Sequence, residues 1–196
     1  MSRPPTDTEP KLYDCALTLF ATKGYAATSV REIIETVGLT KPVLYYYCKN
    51  KLDLFEKLIS RVHNDAFEGL ERLAIGAGDP VEKLRQIIRG TFAFCAADWR
   101  VPRLMYAASF GPVVPEIDDL MKSLGDRRYA LIRNIVVAGI TQKQFRAMDP
   151  DVIALSFCSL MDHPTNILTR DDSEAAILTP ELADGLFDVF LNGSAS

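Results

Sequence analysis

The chain has 196 residues, 48% of them hydrophobic and 24% charged, a composition of ordinary globular domains rather than of a disordered tail or a disulfide-stapled miniprotein. No apolar run reaches the ~18–20 residues of a membrane span. The opening "MSRPPTDTEP" is polar and Pro-rich, unlike a signal or transit peptide, so the expected location is the cytoplasm.

Net charge is −4, which argues against indiscriminate coating of nucleic acid but leaves room for one local basic surface. The cysteines at 15, 48, 95 and 158 are far apart, no CxxC occurs, and the only histidines are His63 and His163. Metal ligation needs clustered donors, so no metal site and no cofactor is expected. The cysteines read as small reduced hydrophobes inside helical patterns.

Apolar residues recur at spacings of three and four, not two, which predicts an all-α chain. Residues 1–9 form a flexible arm in this reading. Residues 10–22 put Leu12, Ala16, Leu19 and Phe20 on one face, with Gly24 as the C′ residue. Val30, Ile33, Ile34 and Val37 trace a short second helix behind a Ser29–Glu32 capping box, and Gly38 stops it. A third short helix covers about 41–48. Asn50 caps a fourth, with Asp53 three residues on, running to about Ala74.

Asp79-Pro80, Asp149-Pro150 and Thr179-Pro180 each join a good N-cap to proline at the first helical position, where its missing N–H costs nothing. Pro102 opens a short segment that "FGPVVPE" breaks. A long helix is predicted from Pro115 to Ala138. The total is about nine helices, with only the two ends disordered.

One stretch stands apart from the acidic whole. "LTKPVLYYYCKNK", residues 39–51, holds Lys41, Lys49, Lys51 and three adjacent tyrosines, with no acidic residue. At 100° per residue with Leu44 at zero, Cys48 falls at about 40° and Tyr46 at about 200°. Leu44 and Cys48 therefore point inward and Tyr46 outward, with Tyr45 and Tyr47 on opposite flanks. Such a helix suits a major groove, its outer face on base edges and its flanks on phosphate walls. It equally suits tyrosines packed on the rest of the protein with their hydroxyls exposed. A helix–turn–helix spacing alone leaves both open.

Residues 12–59, "LYDCALTLFATKGYAATSVREIIETVGLTKPVLYYYCKNKLDLFEKLI", resemble the DNA-binding region of the tetracycline-repressor (TetR) family. The run "LFATKGYAATSVREI", the Gly38 turn, the Leu-Tyr pair and Lys51 carry the resemblance. It implies a three-helix DNA-binding unit over residues 10–57 and a helical effector-binding and dimerisation domain over 58–196. Thr28 and Ser29 match the family's phosphate-binding hydroxyl pair. Arg31 matches a base or phosphate contact, and Thr40, Lys41, Pro42 and Val43 the first turn of the recognition helix. Tyr45 matches a phosphate-binding tyrosine, Tyr46 and Tyr47 two variable contacts, and Lys51 a phosphate-binding lysine. Cys48 departs from the usual phenylalanine. Pro42 disfavours helical geometry at Lys41, leaving the helix start at either Thr40 or Lys41.

The larger part offers two apolar segments, "DVIALSFCSLM" and "LFDVFL", that fit either a homodimer interface or the monomer's own core. Candidate lining residues for an effector pocket are Phe92, Cys95, Trp99, Met105, Tyr106, Phe110, Phe157 and His163. Asp162, beside His163 and Pro164, marks either a polar point in a pocket or a helix kink. The expected function is a ligand-responsive DNA-binding transcriptional regulator, a repressor that binds palindromic double-stranded operator DNA as a homodimer and leaves it on binding a small-molecule effector. No nucleophile–base pairing or phosphate loop argues for an enzyme. The alternatives are an all-helical carrier or enzyme that no longer binds DNA, and an activator or architectural DNA binder.

Overall fold

The computed structural model describes residues 7–75, 78–167 and 171–192. All regular structure among them is helical: α1 (Thr8–Ala27), α2 (Val30–Val37), α3 (Lys41–Tyr47), α4 (Lys51–Ile75), α5 (Pro80–Ala97), α6 (Arg100–Phe110), a 3₁₀ turn (Pro115–Ile117), α7 (Asp118–Thr141), α8 (Pro150–Ile167), α9 (Asp172–Ala175) and α10 (Pro180–Asn192). The expected terminal arm and tail lie largely outside the described residues, and α1 already begins at Thr8.

The caps follow the local chemistry. Gly24, at φ +79°, breaks α1 just before its end. Ser29 Oγ accepts the Glu32 N–H at 3.1 Å, but the Glu32 carboxylate turns to Lys23 rather than closing the box. Gly38 takes φ +72° and returns its N–H to Ile34. Asn50 accepts the Asp53 N–H at 2.9 Å while the Asp53 carboxylate accepts the Lys49 N–H at 2.7 Å. Asp79 and Asp149 cap α5 and α8 through side-chain oxygens, and Thr179 caps α10.

Three boundaries differ from expectation. α6 opens at Arg100, not Pro102, because the Asp98 carboxylate accepts the Arg100 N–H at 3.1 Å. The long helix α7 is preceded by the 3₁₀ turn and runs to Thr141. The short α9 follows Asp171, which accepts the N–H groups of Ser173 and Glu174.

Burial gathers into two apolar cores. The first joins α1 to α4 with α6 and the start of α7, through Phe20, Ile33, Leu44, Phe55, Leu104 and Ile117. The rings of Phe20 and Phe55 meet edge-on at 4.9 Å. The second joins α5, α7, α8 and α10 through Ile88, Phe92, Val136, Phe157 and Phe187. α4 serves both: its first half buries Leu54, Leu58 and Ile59 in the first core, while Leu70 and Leu73 pack on the second. No helix among the described residues is long and apolar enough to cross a membrane.

Candidate nucleic-acid interface and ligand cavity

The helix start left open by the sequence is Lys41, with Thr40 as an extended N-cap whose side chain bonds no helical N–H. Leu44 (0% exposed) and Cys48 (2%) anchor α3 to the first core. Tyr45 (50%) and Tyr46 (60%) stand in solvent. Tyr47 is half-buried against the same core, its ring edge-on to Tyr46 at 5.1 Å. The anchor residues sit one turn apart, so the exposed tyrosines are presented by a fixed helix rather than a mobile one. Thr40, Lys41 and Pro42 are exposed beside them and Val43 is half-buried. Ser29 is exposed at the start of α2. Arg31 is exposed and among the described residues reaches only Glu35, at 2.7 Å, a solvent-screened pair that leaves the guanidinium available.

Two expected phosphate contacts are placed otherwise. Thr28 is 1% exposed. Its hydroxyl donates to the carbonyls of Leu19 (3.2 Å) and Gly24 (2.9 Å) in the last turns of α1. The side chain is thus spent inside the fold. Lys51 also turns inward. Its ammonium donates to the carbonyls of Tyr25 (2.9 Å) and Thr28 (3.0 Å) and lies 4.2 Å from the centroid of the Tyr25 ring. The acceptors at the end of α1 draw it there, since unpaired carbonyls at a helix end need donors.

Between the two cores lies a cavity of about 410 Å³ lined by α4 to α8. Of the eight expected lining residues, Cys95, Met105, Tyr106 and Phe110 line it. Phe92 and Phe157 do not; both are fully buried in the second core. Trp99 precedes α6 as its N-cap residue, and His163 is exposed; neither borders the cavity. Asp162 does, as a polar point: Arg128 from α7 grips its carboxylate with both terminal nitrogens, at 2.5 and 2.7 Å.

His63, Phe67, Phe94 and Arg128 are lining residues that the sequence reading did not single out. His63 stacks on Phe67 at 5.6 Å. Its Nδ1 is buried without a partner among the described residues. Burial holds its pKa below the ordinary histidine value. The Leu124 backbone opposes that shift, and the charges of Arg127 and Arg128 add to it.

Residues 12–58 match the family model described as "Bacterial regulatory proteins, tetR family". The chain is 35% identical over 83 residues to the HTH-type transcriptional regulator AcrR of Shigella flexneri, a match covering 42% of this chain and 39% of that protein. This match therefore spans less than half the length of that curated relative. Among solved structures, the MbdR regulator from Azoarcus sp. CIB superimposes with a TM-score of 0.83 at 23% identity, covering 96% of this chain and 100% of that one. FadR from Bacillus subtilis, in complex with stearoyl-CoA, does so with a TM-score of 0.79 at 18% identity, covering 95% and 100%. At these identities the structural likeness concerns the fold. The motif, the anchored α3 and the family match fall on the same residues, and it is this segment, residues 12–58, that carries the likeness to the tetR family of bacterial regulatory proteins.

Proposed function

We propose that the protein is a cytoplasmic, ligand-responsive transcriptional regulator, a repressor that binds a palindromic operator as a homodimer and leaves it when a small molecule fills the cavity. The observation that carries this reading is α3: two exposed tyrosines beside Lys41 on a helix pinned by Leu44 and Cys48, inside the segment matched by the family. The proposed contact set is Ser29, Arg31, Thr40, Lys41, Pro42, Val43, Tyr45, Tyr46 and Tyr47. Thr28 and Lys51 serve the unit's own stability instead.

Two further observations support the rest. α8 buries Ile153, Ala154, Phe157 and Cys158 on one side but leaves Val152 and Leu155 about half exposed on the other. Val189 of α10 is exposed too. An apolar outer face on two helices suits pairing with a second copy. The cavity touches α4, which also carries the first core, and α6, whose Arg100 reaches α1. An occupant that favours one arrangement of these helices would bias the DNA-binding unit, and by linkage operator DNA would weaken its binding in return.

Selection of bound sites from random duplex DNA tests the reading. Inverted repeats are expected, because a two-fold dimer presents the same side chains to both half-sites. Sites without dyad symmetry would refute the homodimeric reading, and no enrichment at all would favour an all-helical carrier.

A further inference from the structure

The outward strip of α3 is apolar, and that restricts what it can read in DNA. With Leu44 as the inward reference, Pro42 and Tyr46 fall at about 160° and 200°, straight away from the core and one turn apart. Both side chains are exposed. The polar groups stand aside from that strip. Lys41 falls at about 60°, Tyr45 at about 100° and Tyr47 at about 300°, on the flanks that meet phosphate walls rather than base edges. Over its whole length, Lys41–Tyr47, α3 carries no arginine, asparagine, glutamine, histidine or acidic residue. The side chains that grip guanine or adenine with paired hydrogen bonds, or accept from cytosine, are therefore missing from it, save the single ammonium of Lys41 on a flank. The contact set's one guanidinium, Arg31, lies on α2, the helix that in such units crosses the backbone.

Base edges in the major groove offer one apolar group, the 5-methyl of thymine. Two rigid rings face it here. The Pro42 ring has no rotamer to lose, and the Tyr46 ring is braced edge-on, at 5.1 Å, by the half-buried Tyr47. Contact surfaces that are already ordered lose little entropy on binding. We propose that Pro42 and Tyr46 read thymine methyl groups, so that each operator half-site is specified chiefly by thymines and not by hydrogen bonds to guanine. This rests on the reading of α3 as the recognition helix and adds which bases it selects.

Operators obtained by selection from random duplex DNA test it. Each thymine is replaced in turn by deoxyuridine, which lacks only the methyl, in both half-sites together, and binding of the full chain is followed by fluorescence anisotropy. Burial of one methyl corresponds to about fourfold in affinity, so symmetric replacement at a contacted thymine should weaken binding about 15-fold. Tyr46→Ala should bring that ratio close to one at the thymine facing Tyr46. Tyr46→Phe should keep it, because the ring and not the hydroxyl makes the contact. Methyl removal that nowhere weakens binding by about threefold overturns the proposal, and this outcome needs no variant. So does a methyl effect that survives Tyr46→Ala at every thymine, or one that disappears in Tyr46→Phe. These results would leave the DNA-binding reading standing, since an operator has been found; absence of any enriched site strikes both.

Discussion

Replacing Lys51 by methionine separates two jobs that one ammonium could do. Methionine keeps most of the apolar stem, so the change removes chiefly the charge and its donors. In the fold those donors satisfy the carbonyls of Tyr25 and Thr28, and the charge sits over the Tyr25 ring. Hydrogen bonds to a charged group contribute about 1.5–3 kcal/mol, and a cation over a ring adds about 0.5–1 kcal/mol. We expect Lys51→Met to destabilise the first core by about 2–4 kcal/mol. Equilibrium unfolding in urea, followed by far-UV circular dichroism, should show the midpoint falling by roughly 1 M or more, given a denaturant slope of about 1–3 kcal/mol/M. Hydrogen exchange should place the loss at the end of α1 and its junction with α2, where the acceptors lie. The salt dependence of operator binding should keep its slope, because the lost charge was not on a phosphate. A variant that unfolds at the parental urea concentration but loses operator affinity and about one unit of salt slope would refute this account.

Thr28→Val removes a hydroxyl that donates to two carbonyls; a loss of about 1–3 kcal/mol is expected by thermal or urea unfolding. Tyr46→Ala alters a side chain that is 60% exposed. It should change the melting temperature little, within about 0.5 kcal/mol, while reducing operator affinity in a fluorescence-anisotropy titration. His63 has a folded-state pKa below its ordinary value. The unfolded chain therefore takes up this proton first as pH falls, so stability present above about pH 6.5 declines below it. His63→Gln should flatten that part of the stability–pH curve measured by urea unfolding; an unchanged curve would remove His63 as its source.

Most of the helical plan was legible because its signals are local. A capping serine, a positive-φ glycine and an Asp-Pro pair act within one turn of themselves, and Ser29, Gly38, Asp79 and Asp149 are found where such signals put them. The start of α6 was missed although Asp98 carries it, because Pro102 is the louder signal and an aspartate two residues ahead of Arg100 is a quiet one. The tyrosine helix could be oriented by angle alone, since Leu44 and Cys48 share one inward side.

The cavity was half legible. Composition marks Phe92 and Phe110 alike, yet one fills the second core and the other edges the mouth. Only the packing of neighbouring helices decides between them. Lys51 shows the same limit over a longer distance: its acceptors lie 23 and 26 residues earlier in the chain. No periodicity announces such a bond.

The ion cluster at Arg100 has a mechanical consequence. From the head of α6 this side chain donates to Thr18 Oγ1 at 2.7 Å and meets the Asp14 carboxylate at 2.8 Å, both on α1, while Asp98 holds it from behind. The N-terminal unit is therefore fastened along the continuous rod of α4, through the apolar packing of α6 on its core, and by this clasp at the head of α6. A body tethered at one point can swing freely, whereas one tethered at two can chiefly roll about the line joining them. A dimer with its heads so hinged would open and close its grip by rolling, and the distance between its two α3 helices would change with the roll. Cutting the clasp leaves the rod and the apolar packing of α6, which resist sliding less than a charged clasp does, and the two heads would then sample a wider range of separations.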